Sequence, residues 1–235
     1  MTARRDELAR NLDTVRGRIA ASCDMAGRSA DEVTLTVVTK FFPASDVRLL
    51  AGLGVRHVGE NRHQEAQTKA VECSDLDLTW HFIGGLQSNK AAAVAGYADV
   101  VESVDRPKLL RGLAKGARAS GRRLDVLVQV DLDPEGSTAS GRAGAAREAA
   151  VDLARRVAET DALRLRGVMA VAPLGQEPQA AFEKLREVAE QVRLVDPGAT
   201  WVSAGMSNDL EAAVRTGATH VRIGSAVLGS RPSGG

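Results

Sequence analysis

The N-terminal segment has the period of a helix and is followed by a run with the character of a strand. Its apolar residues recur every three or four positions, at Leu8, Leu12, Val15, Ile19 and Cys23. This spacing predicts an amphipathic helix that packs one face on a core. The next run, 34–40, is β-branched and nearly continuous, which is typical of a strand covered on both faces. Pro43 interrupts it, and Ser45 with Asp46 can cap a helix that runs through Leu53.

The same alternation of strand and helix continues to the end of the chain. It predicts further strands at 57–60, 79–84, 100–103, 124–132, 165–171, 200–204 and 220–223. It predicts helices between them at 62–71, 88–95, 107–119, 144–159, 178–194 and 208–216. Strict alternation indicates a parallel sheet, and this number of units favours closure. We therefore predict an α/β fold, a single (β/α)8 TIM barrel with an extra N-terminal helix. An open doubly wound sheet is the alternative, but no GxGxxG follows the first strand.

We expect one domain over 1–235, with its core at about 33–229, because no linker or shift in composition divides the chain. Segment 131–144 is the longest irregular stretch and is predicted to be a mobile lid. The Gly/Ser/Pro tail is expected to fray.

Composition narrows the classes of function. Hydrophobic residues make up 44% of the chain, and 31 basic residues balance 30 acidic ones. This balance offers no electrostatic argument for nucleic acid or for an anionic membrane as a partner. We expect no signal peptide and no membrane span, since no apolar run approaches the ~18 residues that a span needs. The two distant cysteines predict reduced, buried thiols in a cytoplasmic protein.

The active face of a parallel barrel lies at the carboxyl ends of its strands. This rule selects Lys40, whose ammonium follows an apolar run and precedes two phenylalanines. Lost hydration should lower the pKa of this amine from its ordinary value of about 10.4, which favours imine formation. On this residue alone, a lysine that reaches water from a strand end is the commoner case.

Two glycine turns follow the last two predicted strands. One lies in segment 203–213 and the other in segment 222–226, and loops at these positions often bind phosphate in such barrels. The pair Asn208 and Glu211 also reads as a capping box, which needs no ligand. Arg222, inside the last strand, needs either a barrel carboxylate or an anionic or basic ligand atom as its partner. His81 is interpreted as a core histidine, and the histidines do not have metal-ligand spacing.

Six segments in this order resemble one family. They are VVTKFFPASDV, HVGENRHQEAQTK, WHFIGGLQSNK, LRGVMAVAP, SAGMSNDLEAA and VRIGSAVLG. The sequence is similar to the pyridoxal phosphate homeostasis protein family over roughly residues 33–229. The resemblance implies the fold of the alanine racemase N-terminal domain, pyridoxal 5'-phosphate as cofactor, and a role in intracellular vitamin B6 homeostasis.

The resemblance also implies roles for single residues. Lys40 would carry the cofactor as an internal aldimine, with Asn61 near the ring or the lysine. The phosphate would be held at the two turns. Arg222 would lie near the pyridine nitrogen, which disfavours its protonation and weakens the ring as an electron sink. The cofactor-binding residues are thus Lys40, Asn61, Ser203, Met206, Ser207, Arg222, Gly224 and Ser225; no catalytic residue and no metal site is expected.

One feature departs from the family. Many relatives have a lysine in the loop after the fifth strand, where this chain reads Ser-Thr-Ala-Ser-Gly at 137–141. A role for a second lysine in cofactor transfer is therefore not supported by this sequence.

Three functions remain open from the sequence. A carrier needs only a reversible imine and a phosphate site, and apo-enzymes that use the cofactor would be its recipients. A racemase or decarboxylase of this fold needs a second base, and we expect Tyr97 to lie away from the active face. An aldolase that forms an imine with a sugar phosphate would need an acid/base pair around Lys40. We favour the carrier, and we expect a monomer because a second domain with the racemase dimer contacts is not evident.

Overall fold

The protein is described by a computed structural model that covers residues 2–133 and 143–230. Eight parallel strands form a closed barrel in chain order. They are β1 (Thr34–Val38), β2 (His57–Glu60), β3 (Thr79–Phe82), β4 (Val100–Val104), β5 (Leu124–Gln129), β6 (Leu163–Met169), β7 (Trp201–Ser203) and β8 (His220–Ile223). The pairing of β1 with β8 closes the barrel, with Val37 opposite Ile223. This closure confirms the predicted fold.

The helices surround the barrel. They are α1 (Thr2–Met25), α2 (Ala44–Gly52), α3 (His63–Glu72), α4 (Ala91–Ala95), α5 (Leu110–Ala119), α6 (Arg147–Ala158), α7 (Pro178–Val195), α8 (Leu210–Arg215) and α9 (Ser225–Leu228). Short 3₁₀ turns at Ala30–Glu32 and Pro107–Leu109 precede β1 and α5. The strands are buried nearly throughout because helices cover them outside and side chains fill the barrel inside. None of the helices in the described ranges is long and apolar enough to cross a membrane.

The extra N-terminal helix α1 buries its predicted face, since Leu8, Leu12, Val15, Ile19 and Cys23 are at most 5% exposed. It packs against α8 and α9, the helices that follow the last two strands. Arg18 of α1 pairs with Glu211 at 2.7 Å and donates to the carbonyl oxygen of Ser207 at 2.9 Å. The helix therefore holds the turn after β7 from outside.

Element boundaries differ from the predictions at strand ends and at helix starts. Strand β5 ends at Gln129 rather than at 132, and β6 spans Leu163–Met169 rather than 165–171. Helix α2 begins at Ala44 after Pro43, so Ser45 and Asp46 lie in its first turn and do not cap it. Asp46 instead accepts from Arg4 at 2.7 Å. Helix α4 begins at Ala91, three positions later than predicted, and α9 was not predicted at all. The predicted lid and the frayed tail involve residues 134–142 and 231–235, which lie outside the described part of the chain.

Candidate functional site

A cavity of about 450 Å³ opens at the carboxyl ends of the strands. Its walls come mainly from β1, the turn after β2, and the turns after β7 and β8. The residues lining it are Val38, Lys40, Phe41, Phe42, Asn61, Ile83, Gly84, Gln129, Met169, Val171, Met206, Ser207, Asn208, Asp209, Arg222, Gly224, Ser225 and Gly229. All the predicted binding residues line this cavity except Ser203. The structure therefore brings together positions that are up to 185 residues apart, Lys40 and Ser225.

Lys40 lies in a tight turn two residues beyond the end of β1. Its side chain is partly buried, and Nζ lies 5.9 Å from the centroid of the Phe41 ring. Phe41 has a φ of 71°, the one positive φ of a residue other than glycine in the described ranges. This backbone conformation is unfavourable for an aromatic residue and persists only where the surroundings enforce it.

A buried ion cluster enforces this turn. Lys69 of α3 donates to the Thr39 carbonyl oxygen at 2.8 Å, to Glu60 Oε1 at 2.7 Å and to Glu65 Oε1 at 2.6 Å. Glu65 Oε1 also accepts from the Phe41 amide at 2.6 Å. Burial raises the pKa of Glu60, although Lys69 counteracts that effect. The cluster thus ties the backbone on both sides of Lys40 to α3.

The two predicted glycine turns meet at Ser207. Its Oγ lies 3.4 Å from Ser225 Oγ and 3.4 Å from the amide of Ala226. Gly205, with a φ of 94°, lets the turn after β7 pack closely on α8, since a Cβ there would lie 2.7 Å from Cβ of Ala213. Two hydroxyls from different turns therefore face the same part of the cavity, where they can donate to an anionic group.

Met206 fits the predicted phosphate site less well than its neighbours. Its amide donates to Asp209 Oδ1 at 2.5 Å, so a phosphate would compete with a carboxylate for this donor. The predicted capping box of Asn208 and Glu211 is wrong, because the N-cap residue is Asp209 and no side chain caps the helix. Helix α8 begins at Leu210, and Glu211 pairs with Arg18 rather than with a helix-start amide.

Arg222 is 4% exposed and lines the floor of the cavity. Its NH1 donates to Ser203 Oγ at 2.6 Å, and its NH2 donates to the Ala170 carbonyl oxygen at 2.8 Å. Glu102 Oε2 lies 3.8 Å from NH1, so the barrel carboxylate considered from the sequence is present. Burial lowers the pKa of Arg222, whereas Glu102 and then Asp209 counteract this effect.

Ser203 is a correction to the predicted set. It is fully buried beneath Arg222 and does not line the cavity. Its position at the end of β7 favours a ligand contact, but the side chain is enclosed in the barrel. Its hydroxyl instead donates to Glu102 Oε2 at 2.6 Å while accepting from Arg222.

Asn61 adds an unpaired hydrogen-bond acceptor to the lining of the cavity. Its Oδ1 is buried and has no hydrogen-bond partner within the described residues, although buried polar atoms are rarely left unpaired. Gly84 packs directly on the Asn61 backbone, where any Cβ would clash. The cavity thus offers an amine, hydroxyl donors, a guanidinium and an unpaired amide oxygen.

Sequence reasoning missed a column of hydrogen-bonded polar side chains inside the barrel, which runs from Arg222 through Ser203, Glu102 and His81 to His57. His57, His81 and His220 come within 6.5 Å of one another, measured between ring centroids. His81 is a core histidine as predicted, and its Nδ1 pairs with Glu102 Oε1 at 2.7 Å. Glu102 could have been found by the signal that identified Arg222, a single charge in a strand otherwise rich in valine.

Tyr97 also lies differently than expected. Its ring stacks on His63 at the start of α3, with centroids 5.8 Å apart, nearer to the active face than we predicted. It nevertheless does not line the cavity, and burial raises the pKa of its hydroxyl. No cluster of potential metal ligands occurs within residues 2–133 and 143–230. The Ser-Thr-Ala-Ser-Gly stretch, where relatives have a lysine, is outside the described residues.

Comparison with known proteins gives concordant matches. The family model described as "Alanine racemase, N-terminal domain" matches residues 5–232. The chain is 41% identical to the pyridoxal phosphate homeostasis protein of Mycobacterium tuberculosis, over 97% of this chain and 94% of that protein. It is also 41% identical to the protein of the same name from Pseudomonas aeruginosa, over 97% of each chain. The solved structure of PipY from Synechococcus elongatus, with PLP bound, superposes with a TM-score of 0.81 at 35% identity, over 94% of this chain and 100% of PipY.

Proposed function

The chain belongs to the alanine racemase N-terminal domain family and, within it, to the pyridoxal phosphate homeostasis proteins. From this premise we propose that it binds pyridoxal 5'-phosphate (PLP) covalently through Lys40 and supplies it to other proteins. The proposal makes it a carrier in vitamin B6 homeostasis. Its recipients would be apo-enzymes that require the cofactor.

One observation carries this proposal. A single cavity places the amine of Lys40, the paired hydroxyls of Ser207 and Ser225, and the guanidinium of Arg222 around one space. PLP has an aldehyde for an amine, a phosphate for hydroxyl donors and a ring nitrogen that can accept a hydrogen bond. The residues present therefore fit the cofactor, and the volume lies within the usual range for small-molecule sites.

Each residue has a distinct task in this proposal. Lys40 Nζ supplies the nucleophile, and the cluster around Lys69 keeps the turn that carries it in place. Ser207, Ser225 and the amides of Gly224 and Ser225 would hold the phosphate, with the Met206 amide a weaker contributor. Asn61 Oδ1 would accept a hydrogen bond from a donor group on the ligand or on Lys40.

Arg222 limits what chemistry the site supports. When bound, PLP supplies an electron sink whose strength depends on protonation of its ring nitrogen. A guanidinium at that position opposes protonation, because it would bring two positive charges together. A second proton-transfer group for racemisation would have to come from the cavity wall, and Tyr97 is not part of that wall. These features support a carrier rather than a racemase or decarboxylase.

We also propose that the protein acts as a cytoplasmic monomer. Its charge is nearly balanced, and both cysteines are buried as free thiols. Its large exposed apolar side chains in the described residues are spread along the chain, at Met25, Val71, Leu174, Leu194 and Met206. Light scattering at micromolar concentration should give a mass near 24.7 kDa.

Transfer of the cofactor to an apo-enzyme tests the proposed function. Protein loaded with PLP and freed of excess ligand should restore activity to an apo-transaminase. Protein of the Lys40→Ala variant, prepared in the same way, should restore little, and a Lys184→Ala variant, altered on the exposed face of α7, should act like the wild type. Failure of loaded wild-type protein to activate the apo-enzyme would contradict the carrier role.

A further inference from the structure

The buried arginine on the cavity floor is one end of a continuous hydrogen-bonded column through the barrel. From Arg222 the column passes to Ser203 Oγ, to Glu102, to His81 and to His57, with each successive donor–acceptor distance between 2.6 and 2.9 Å. The far end, His57, lines a second cavity of about 290 Å³ at the amino ends of the strands. None of the residues beneath Arg222 lines the cavity at the carboxyl ends.

The column fixes the direction of each hydrogen bond near Arg222. The guanidinium can only donate, so Ser203 Oγ accepts from NH1 and must turn its own proton to Glu102 Oε2. The other carboxylate oxygen, Oε1, accepts a hydrogen bond from Nδ1–H of His81. Both oxygens of Glu102 are therefore engaged, and the carboxylate cannot rotate without breaking the column.

The charge state of Glu102 follows from the same contacts. Burial favours the neutral acid, but the hydrogen bond from His81, the charge of Arg222 and the hydroxyl of Ser203 prevail and hold the pKa of Glu102 at about 2. Glu102 is thus ionised at neutral pH. An arginine buried to this degree needs such a counterion, because an unpaired buried charge is strongly unfavourable.

We propose that Glu102 is a positioning residue that acts through Ser203 to hold the charged Arg222 guanidinium against the ring nitrogen of the cofactor. The inference rests on the proposed function. The Ala170 carbonyl oxygen anchors NH2 and Ser203 anchors NH1, which leaves the remaining N–H groups of Arg222 for a ligand in the cavity that this residue lines. Glu102 contacts neither the cavity nor its ligand, and its effect is on the orientation of Arg222.

The test compares two ligands that differ only at the ring nitrogen. PLP and its 1-deaza analogue, in which a C–H replaces that nitrogen, are titrated into wild-type protein and a Glu102→Gln variant, and covalent binding is followed by absorbance. A hydrogen bond from a charged donor predicts that wild-type protein prefers PLP by about tenfold or more. In Glu102→Gln this preference should fall below about threefold, since PLP loses affinity and the deaza analogue does not.

Three outcomes separate the possibilities. If Glu102→Gln binds both ligands more weakly to the same extent, or keeps the wild-type preference for PLP over the deaza analogue, Glu102 has only a structural role. Either result would overturn the inference and leave the proposed function intact. Failure of wild-type protein to bind PLP would overturn both. A collapsed preference with retained deaza binding supports the inference.

A double variant keeps the test decisive if Glu102→Gln folds poorly. Removing both charges in Glu102→Gln/Arg222→Met should raise the unfolding midpoint above that of Glu102→Gln, because the buried arginine no longer lacks its counterion. Its affinity for PLP should equal that of Arg222→Met alone. Additive losses of stability and affinity in the double variant would overturn the coupling.

Discussion

Ser207 is the residue at which the two turns of the proposed phosphate site meet. Its hydroxyl approaches both Ser225 and the amide of Ala226, and its carbonyl oxygen is held by Arg18 of α1. A ligand phosphate would therefore find a donor whose backbone is fixed from outside the barrel. Such preorganisation reduces the ordering that binding requires.

Substitution Ser207→Ala should weaken PLP binding by about 1–2 kcal/mol, the contribution of a hydrogen bond to a charged group. The loss is moderate because other donors at the turns remain. Equilibrium absorbance titration measures it, and Ser74→Ala, at an exposed position after α3, is the matched control. Pyridoxal, which lacks the phosphate, should bind both variants as it binds the wild type; an equal loss for pyridoxal would contradict the assignment.

The sequence predicted the individual residues of the cavity wall better than those of the barrel interior. Lys40, Asn61 and Ser207 could be located because motif and strand end coincide. Ser203 was misplaced and Glu102 was missed because strand alternation alone does not reveal which charged side chains meet across the barrel. That pairing depends on the registers between neighbouring strands around the closed barrel, which sequence periodicity does not specify.

At the level of elements, α3 has a role beyond covering the barrel. It supplies Lys69 and Glu65 to the cluster that fixes the turn after β1. The cluster compensates for the positive φ of Phe41, which orients the chain around Lys40. The position of the proposed nucleophile, Lys40, therefore depends on a helix whose own residues do not line the cavity.

Substitution Lys69→Met should lower the free energy of unfolding by about 3–5 kcal/mol, because it leaves Glu60 buried without its cation. Urea denaturation followed by circular dichroism provides the measurement. Lys115→Met, on the exposed face of α5, is the control and should change stability by less than about 0.5 kcal/mol. A loss below about 1 kcal/mol for Lys69→Met would show that the cluster contributes little to the turn.

Element boundaries show where sequence reasoning reaches its limit. Strands β2 and β8 were predicted to the residue, whereas β5 and β6 differ from their predicted bounds by two or three residues. The start of α2 was not predicted correctly, because Pro43 sets the helix start before the side chains that are usual caps. Helix α9 was missed because four residues after a glycine turn are too short for a helical period.

At the scale of the whole molecule, the buried histidines His57 and His220 predict that the protein loses stability in acid. Burial, followed by the charge of His81, lowers the pKa of His57 to about 4, and burial lowers that of His220 to about 3. Both lie below the value of about 6.5 for an exposed histidine, so the unfolded chain binds more protons. The stability they contribute is complete above about pH 6.5 and is lost as the pH falls towards 4 and then 3.

Urea unfolding as a function of pH checks this expectation. Near pH 5 these two histidines should account for the uptake of about two protons on unfolding, and His57→Gln should reduce that uptake by about one. The stability of the wild type should decline between pH 6.5 and pH 4. A stability that stays constant across this range, or an uptake unchanged in His57→Gln, would contradict the assignment of neutral buried histidines.

The carrier role predicts negligible racemisation. The guanidinium of Arg222 opposes protonation of the ring nitrogen, and Tyr97 is not in the cavity wall. Loaded protein incubated with L-alanine and examined by chiral chromatography should yield almost no D-alanine. Arg222→Ala should lose cofactor affinity without gaining activity. Turnover on the order of 1–1000 per second, as in ordinary enzymes, would favour a racemase instead.

The central claim is that Lys40 is the residue that captures PLP. The most direct test is borohydride reduction of the loaded protein followed by proteolysis and mass spectrometry of the peptides. We expect the pyridoxyl group on Lys40, and we expect Lys40→Ala to remain folded by circular dichroism while losing this adduct. A main adduct on any other lysine of the wild type, or undiminished labelling of Lys40→Ala, would contradict the account.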